Sequence, residues 1–389
     1  MSGCRVTLNV TAIPEGASAV YTDIMRALLL VFAVGCHPSA DIEGTDASLD
    51  APATPGVIAV PLDGCSWSFT GTFLVGGATS SLLVDTGSSL LAVASATCAT
   101  CVADGVLAKY TPSATAVDDG QMFTATYDGG DMSWTGEEYQ DTVAVGGTTV
   151  SMSLYAITSE QNFFSPGECG GADGILGMQG DGLTSLPSTF ATAGITDEFA
   201  MHECRSAGTL WLGGYDPASI TAPPTYVAMP DDFDAQLTDI AVGGTSIGLP
   251  ASSYGEAIID SGGPNIIVPQ AAYDAITSAV AASSTFATTF GDATWFAKQS
   301  CVADPPVTKA QLDAALPTLS VQLDTTAVAM AATDSYLMTI VEGSHTYFCP
   351  ALDTQPSFLD LGNSLIRSHV VIFDRVHRQL GIATAPPCV

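Results

Sequence analysis

Two carboxylates in this chain follow closely similar apolar segments. Asp85 lies in segment 82–89, LLVDTGSS, and Asp260 lies in segment 257–263, AIIDSGG. An apolar run that ends in Asp-[Thr/Ser]-Gly predicts a buried strand that delivers one carboxylate into a glycine-permitted turn. Two carboxyl groups held close together cannot both ionise cheaply, so they would share a proton. One would then serve as a base and the other as an acid at the same pH.

The spacing of the two acids predicts how the chain positions them. Asp85 and Asp260 lie 175 positions apart, which is about the length of one domain. The 389 residues, 47% of them hydrophobic, suffice for two cores and exceed the needs of one ordinary core. We therefore expect two similar lobes that each contribute one Asp to a shared cleft.

Strands separated by glycine-rich turns dominate the pattern around these acids. Segments 70–77 and 141–147 alternate in polarity and end in Gly-Gly, which predicts mostly β-structure. Short helices are predicted at residues 183–193, 269–282 and 309–316. Thr308 and Gln311 have the spacing of a capping box at the start of the last of these helices.

At these residues, and at further segments in the same order, the chain resembles the pepsin-like aspartic peptidases. The further segments are 126–130, similar to the flap hairpin; 172–177 and 358–363, similar to the hydrophobic-hydrophobic-Gly segments; and 365–367, 371–375 and 379–383, similar to the C-terminal strands. The resemblance spans roughly residues 57–383. It implies an all-β, bilobal acid protease fold, in which two related β-barrel-like lobes with a few short helices flank a cleft.

The activity that the resemblance implies is that of an aspartic endopeptidase. A water held between the catalytic residues Asp85 and Asp260 would attack a peptide bond of a protein or peptide substrate, with no metal, cofactor or covalent intermediate. Residues 127–129 would form a flap that closes over an extended peptide. The residues implied at the substrate are Gly87, Ser88, Tyr127, Asp128, Gly129, Gly262 and Gly263.

The second acid motif departs from the family pattern. The residue after Asp-[Thr/Ser]-Gly usually carries a hydroxyl that hydrogen-bonds the carboxylate from outside, and Ser88 supplies it but Gly263 does not. Loss of this donor is expected to raise the pKa of Asp260 unless water replaces it. The hypothesis is an activity optimum closer to neutral pH than that of a Gly263→Ser variant.

Two other positions also depart from the pattern. A tryptophan that is often hydrogen-bonded to the flap tyrosine would align with Ala92, and Trp134 either substitutes for it or has a packing role. Asn363 stands where an Asp is frequent. A catalytically silent peptide- or enzyme-binding protein on the same scaffold is the alternative function, which Gly263 favours. Retention of both acids favours catalysis.

The charge of the chain excludes some partners. Forty acidic residues against nine Lys and Arg give a formal net charge of −31. Because so negative a surface repels nucleic acid and anionic headgroups, we expect neither as a partner, and we expect a monomer. Self-repulsion weakens as carboxylates protonate, which predicts tolerance of moderate acid. A merely soluble or halophile-like surface explains the same charge equally well.

The first 36 residues resemble a mis-assigned start followed by a secretory signal. The apolar run 27–34 follows Met25-Arg26 and is too short to span a bilayer as a helix. Segment 33–36, AVGC, resembles a bacterial lipobox, whose Cys36 would be lipidated; ordinary signal cleavage is the alternative. We expect an exported protein, either secreted or held at the cell envelope, periplasmic or surface, by this anchor alone.

The remaining chain divides into a tether and two lobes. Residues 37–56 are small, polar, acidic and interrupted by prolines, which predicts a flexible tether. The paired prolines at 223–224 indicate a boundary near this point. We assign residues 57–228 to an N-terminal lobe and residues 229–389 to a C-terminal lobe.

The ten cysteines predict disulfides in an oxidising compartment. Setting aside Cys4 and Cys36 leaves an even number, whose connectivity the sequence alone leaves open. The resemblance implies the pairs Cys98–Cys101, Cys169–Cys204 and Cys301–Cys349, which leaves Cys65 with Cys388. Redox or zinc chemistry at the Cys-x-x-Cys is the alternative, but neither a second such pair nor a nearby His supports it.

Overall fold

The computed structural model of the chain describes residues 56–386, apart from residues 66–67, 104–105, 107–109, 128–129, 165–170, 205–206, 232, 343 and 357. The predicted segment 1–36, including Cys36, and the predicted tether before residue 56 lie outside the described residues. Within the described residues, no helix has the length and apolar character needed to cross a membrane.

Strands form most of the described chain. Those of the first half are β1 Ile58–Cys65, β2 Ser68–Val75, β3 Ala78–Asp85, β4 Leu91–Ala94, β5 Val117–Tyr127, β6 Met132–Val145, β7 Thr148–Gln161, β8 Gly174–Gly177, β9 Glu198–Cys204, β10 Ala207–Leu212 and β11 Thr225–Ala228. Those of the second half are β12 Asp234–Val242, β13 Thr245–Ser246, β14 Glu256–Ile258, β15 Ile266–Val268, β16 Val302–Ala303, β17 Leu319–Leu323, β18 Thr326–Met330, β19 Leu337–Glu342, β20 His345–Pro350, β21 Leu352–Thr354, β22 His369–Asp374 and β23 Gln379–Thr384.

The helices are short. They are α1 Ala99–Ala103, α2 Leu186–Thr192, α3 Gln270–Ala281, α4 Ser284–Thr289, α5 Thr294–Lys298, α6 Lys309–Ala315 and α7 Ser364–Ser368. The three predicted helices are confirmed as α2, α3 and α6. The capping box is also confirmed, because Thr308 Oγ1 accepts from the Gln311 amide at 3.2 Å and Gln311 Oε1 accepts from the Thr308 amide at 2.8 Å.

One sheet contains strands from both halves of the chain. Its order is β11-β23-β22-β9-β10-β1-β2-β3-β8-β4-β7-β6-β5. Strand β22 of the second half pairs with β9 of the first, so the sheet joins the two halves. The second half adds the orders β13-β12-β17-β18, with β14 on β12; β15-β21; and β16-β20-β19. The predicted all-β, two-lobed fold is confirmed.

Backbone pairing places a short segment beside each acid-bearing strand. Strand β3 runs parallel to β8, with Asp85 level with Gly177. A parallel bridge joins Ile258, two residues before Asp260, to Asp360. The flap hairpin predicted at 126–130 is present, since β5 and β6 pair up to Tyr127 and Met132.

The predicted lobe boundary falls at the end of β11, which pairs with β23. The assignment of lobes stays a prediction.

Buried aromatic side chains pack where the two halves meet. Phe373 lies 4.5 Å from Phe199 and 4.9 Å from Phe233 between ring centroids, and all three rings are fully enclosed. Aromatic pairs at this separation are favourable beyond their apolar area. The carbonyl of Phe233 accepts from the Ile259 amide at 3.1 Å, so this core directly holds the strand that leads to Asp260.

The C-terminal segment corrects one prediction. Residues 371–375 and 379–383 lie in or at the end of strands β22 and β23, as predicted, but residues 365–367 form part of helix α7. A short apolar run does not distinguish a buried strand from a buried helical turn, which is why the residues alone misled. The Arg367 amide donates to the Asn363 carbonyl at 2.9 Å, a helical hydrogen bond.

Two of the four predicted disulfides are confirmed. They are Cys98–Cys101, at helix α1, and Cys301–Cys349, which ties the segment before β16 to β20. Cys204 is also disulfide-bonded, and its predicted partner Cys169 lies outside the described residues. The Cys65–Cys388 pairing stays a prediction, because Cys388 lies outside them as well.

Candidate active site

Strands β3 and β14 deliver the two acids to the place where the halves meet. Asp85 is the last residue of β3 and is only 5% exposed, and Asp260 follows β14 by two residues. The three residues before each acid are apolar, as the sequence pattern predicts, and alternate ones are fully buried: Leu82 and Val84 before Asp85, and Ala257 and Ile259 before Asp260. The side chains of Asp85 and Asp260 hydrogen-bond each other, so the structure brings the two predicted acids together.

Reciprocal hydrogen bonds lock the two acid-bearing turns to each other. Thr86 Oγ1 accepts from the Ser261 amide at 2.8 Å and donates to the Ile259 carbonyl at 2.6 Å. Ser261 Oγ accepts from the Thr86 amide at 2.9 Å and donates to the Val84 carbonyl at 2.7 Å. Because all of these groups are buried and paired, the separation of the two acids is fixed by the backbone.

The glycines of the two turns allow the close approach of the acids. A Cβ atom added at Gly87 would lie 2.5 Å from the Asp260 carboxylate, and one added at Gly262 would collide with Asp85 Oδ1. Each glycine therefore makes room for the acid of the opposite turn, and only a residue without a side chain fits. These positions were predicted as substrate-binding; the structure places them against the acids.

Asp85 accepts hydrogen bonds on both carboxylate oxygens. The Gly87 amide donates to Oδ1 at 2.8 Å, and the Ser88 hydroxyl donates to Oδ2. The predicted outer hydroxyl is thus present behind the first acid. Both donors hold this carboxylate in a fixed orientation.

Asp260 has different surroundings. The Gly262 amide donates to its Oδ1 at 2.7 Å. Burial raises the pKa of Asp260 well above its ordinary value, and the neighbouring Asp85 and then Asp360 raise it further. The direction agrees with the prediction, but its first cause is burial and not the missing hydroxyl at Gly263.

A third acid, Asp360, lies behind Asp260, and the sequence analysis did not single it out. Its side chain hydrogen-bonds Asp260, it is 3% exposed, and its Oδ1 accepts from the Gly362 amide at 2.7 Å. Burial raises the pKa of Asp360 as well. The sequence did contain a signal: an acid occupies the middle of a segment that was otherwise interpreted as apolar.

The flap hairpin covers the first acid. The Tyr127 hydroxyl is hydrogen-bonded to Ser88 and accepts from Trp134 Nε1 at 3.3 Å. Trp134 is 1% exposed and packs beside Ala92, so it combines both roles considered for it. Burial raises the pKa of Tyr127 to about 12, which keeps its hydroxyl protonated. The predicted flap residues Asp128 and Gly129 lie outside the described residues.

A cleft of about 360 Å³ opens between the flap and the first acid-bearing turn. Its walls include Gly87, Ser88, Phe123, Tyr127 and Gln179. Phe123 is 42% exposed and packs against Trp134 and Tyr155, so one wall is apolar. Clefts of this volume and polarity bind small molecules or peptide side chains.

Away from the acid pair, one group of acids in the described part of the chain has the geometry to hold a cation. It consists of Asp231, Asp234 and Glu256, of which Asp231 and Glu256 are exposed. Exposed acidic groups of this kind are common without a metal, and neither Asp85 nor Asp260 belongs to the group.

Comparison with known proteins matches residues 69–385 to the family described as eukaryotic aspartyl protease. An aspartic protease of Phaffia rhodozyma is 29% identical over 256 residues, which cover 63% of this chain and 61% of that protein. Rhizopuspepsin-3 of Rhizopus niveus is 30% identical over 55% of this chain and 57% of the relative. Gastricsin of Rattus norvegicus is 25% identical over 78% of this chain and 77% of the relative.

The chain spans less than two thirds of the length of the first two of these relatives. The family match itself covers both acid-bearing turns, the flap hairpin and the strands that join the two halves. On this evidence, the chain belongs to the eukaryotic aspartyl protease family.

Proposed function

We propose that this protein is an aspartic endopeptidase, which hydrolyses peptide bonds with a water activated between Asp85 and Asp260. The observation that carries this proposal is the contact of the two buried carboxyl groups beside a cleft under the flap. Two acids in such contact share a proton, and the pair supplies the base and the acid that hydrolysis of an amide needs.

The surroundings of the two acids support a different role for each. Because burial and Asp85 raise the pKa of Asp260, Asp260 holds the proton. Asp85 accepts two hydrogen bonds as a carboxylate and takes a proton from the attacking water. Asp260 donates its proton towards the scissile carbonyl oxygen, which stabilises the tetrahedral intermediate. When the intermediate collapses, the proton gained by Asp85 passes to the leaving amine.

The flap strand supplies a binding edge for the peptide. Strand β5 lies at the end of the thirteen-stranded sheet, and most of its residues are exposed. An exposed strand edge binds an extended peptide through main-chain hydrogen bonds. The apolar wall at Phe123 would take an apolar side chain of the substrate. Protein and peptide substrates are therefore the proposed partners.

The test is digestion of denatured casein across acid to neutral pH, with and without a pepstatin-type inhibitor. We expect cleavage that the inhibitor blocks and that an Asp85→Asn variant lacks. Binding of casein fragments without cleavage at any pH would favour the alternative, a catalytically silent binding protein on this scaffold. The observation that favours this alternative is Gly263, because the second turn lacks the outer hydroxyl that Ser88 gives to the first.

We also propose that the protein is an exported bacterial lipoprotein, anchored at Cys36, with residues 37–56 as its tether. The support is the sequence of residues 25–36 alone. Mass spectrometry of the mature N-terminus tests it, and an unmodified Cys36 would remove the anchor.

Non-reducing peptide mapping tests the proposed pairs Cys169–Cys204 and Cys65–Cys388.

A further inference from the structure

We propose that Asp360 is a positioning residue of the acid pair: its protonated carboxyl takes the place of the hydroxyl that the second acid-bearing turn lacks, and it donates a hydrogen bond to Asp260 from behind. This inference rests on the proposed function, because it concerns the acid pair of the same site. It also explains how a turn that contains Gly263 retains an ordered second acid.

The backbone of Asp360 is held on two sides. Its amide donates to the Ile267 carbonyl at 2.9 Å, and its carbonyl accepts from the Ile267 amide at 2.8 Å. On the other side it forms the parallel bridge with Ile258 of β14. Because both neighbouring strands fix the backbone of this residue, its carboxyl is held beside the second acid, which it hydrogen-bonds.

The side chain of Asp360 fills the space beside Gly263. Its Oδ1 accepts from the Gly362 amide at 2.7 Å, which leaves Oδ2 for Asp260. A Cβ atom added at Gly263 would lie 3.1 Å from Asp260 Oδ2 and 3.6 Å from Asp360 Oδ2. Gly263 and Asp360 thus lie side by side behind Asp260: a Cβ atom at position 263 would be in ordinary contact with Asp360 and tight against Asp260.

The first half shows what this position contains when the turn keeps its hydroxyl. Strands β3 and β8 pair Leu83 with Ile175, two residues before Asp85, just as Ile258 pairs with Asp360 two residues before Asp260. Ile175 is 2% exposed and packs in an apolar cluster. The two halves therefore supply the outer donor from different elements. In the first half the turn residue Ser88 is the donor, and Ile175 is apolar. In the second half Asp360 is the donor, and the turn residue is Gly263.

Burial is the main reason that Asp360 favours its protonated form. Burial and the charge of Asp85 raise the pKa of Asp360, the Gly362 amide and the hydrogen bond with Asp260 lower it, and the net result is a pKa of about 7. Among the described residues, β14 and β15 contact Asp360 through backbone groups. A buried carboxyl without a cation stays neutral and then donates a hydrogen bond. In the active form, three carboxyls hold two protons and one negative charge. Ionisation of Asp360 would add a second negative charge and remove its donor.

The experiment is the pH dependence of kcat and kcat/KM on a peptide substrate for Asp360→Asn and Asp360→Leu. The asparagine keeps a donor and cannot ionise, so we expect the alkaline limb of its profile to move up by about one pH unit. The leucine loses the donor, so we expect kcat to fall about tenfold with KM changed less than about threefold. Asp353→Asn, on β21 beside the same strand β15, is the matched control and leaves the alkaline limb in place.

A double variant that restores the hydroxyl usual in the family gives a second test. In Asp360→Leu/Gly263→Ser, a hydroxyl replaces the third carboxyl, and we expect it to recover at least half of the lost kcat. An alkaline limb of Asp360→Asn that coincides with the wild type overturns the role of Asp360, as does a double variant no better than Asp360→Leu. Neither result bears on the proposed function, which fails instead if the wild type cleaves nothing or if Asp85→Asn retains its activity.

Discussion

The two acid-bearing turns have the same backbone but different groups behind their carboxylates. Thr86 and Ser261 make matching hydrogen bonds between the two acid-bearing turns, so the backbone geometry around the two acids is equivalent. Behind Asp85 lies the hydroxyl of Ser88, whereas behind Asp260 lies the carboxyl of Asp360. The comparison shows that equal geometry does not imply equal charge: the environment of each acid assigns the proton to one of them.

The largest effect is expected from removing either acid. Asp85→Asn and Asp260→Asn each lose one member of the base–acid pair, so we expect kcat/KM to fall by about a thousandfold or more. Cleavage of a quenched fluorescent peptide measures this. Asp274→Asn, the same change at an exposed position of helix α3, serves as the control. Substantial activity in either acid variant would show that catalysis does not require both acids.

The glycines test whether each turn must admit the acid of the other. Gly87→Ala would press on Asp260, and Gly262→Ala would press on Asp85, so we expect each to lower kcat about a hundredfold. At Gly255 an added Cβ atom meets nothing within 4 Å, and Gly255→Ala is therefore the matched control. If only one glycine variant is impaired, the two turns do not approach each other equally.

The reciprocal hydrogen bonds predict a coupled effect on stability. Thr86→Val and Ser261→Ala each leave buried backbone groups unpaired, so we expect each to lower the free energy of unfolding by about 2 kcal/mol. The double variant is expected to lose about 1 kcal/mol less than the two losses added together, because each hydroxyl bonds the backbone amide of the other residue and neighbouring sites couple. Urea unfolding measures the free energies of the single and double variants. If the two losses simply add, the hydrogen bonds of Thr86 and those of Ser261 act independently.

The smallest expected effect concerns the flap, whose Tyr127 contacts the first acid-bearing turn at Ser88. Trp134→Phe removes the donor to the Tyr127 hydroxyl, so we expect KM to rise about threefold with little change in kcat. Trp211→Phe, at a buried tryptophan of strand β10, is the control and leaves KM unchanged. A fall in kcat without a change in KM would mean that Trp134 affects the acids and not the closure of the flap.

Local patterns were sufficient for most strands and helices. The apolar runs before each acid predicted the buried strands, and Thr308 with Gln311 predicted the start of helix α6. The family resemblance implied Ser88, three residues after Asp85, as its outer donor, and this hydrogen bond is present. Segment 365–367 failed as a strand because its apolar character suits a buried helix equally well.

The chain by itself determined that two similar strands would each deliver one acid, because periodicity and turn chemistry are local properties. Only the tertiary structure decided what lies behind Asp260, since its partner Asp360 is separated from it by a hundred positions and reaches it through a parallel bridge. The missing hydroxyl at position 263 could be seen in the sequence, but its replacement could not. A pKa is set by burial and by charges close in space, and both depend on contacts between distant segments.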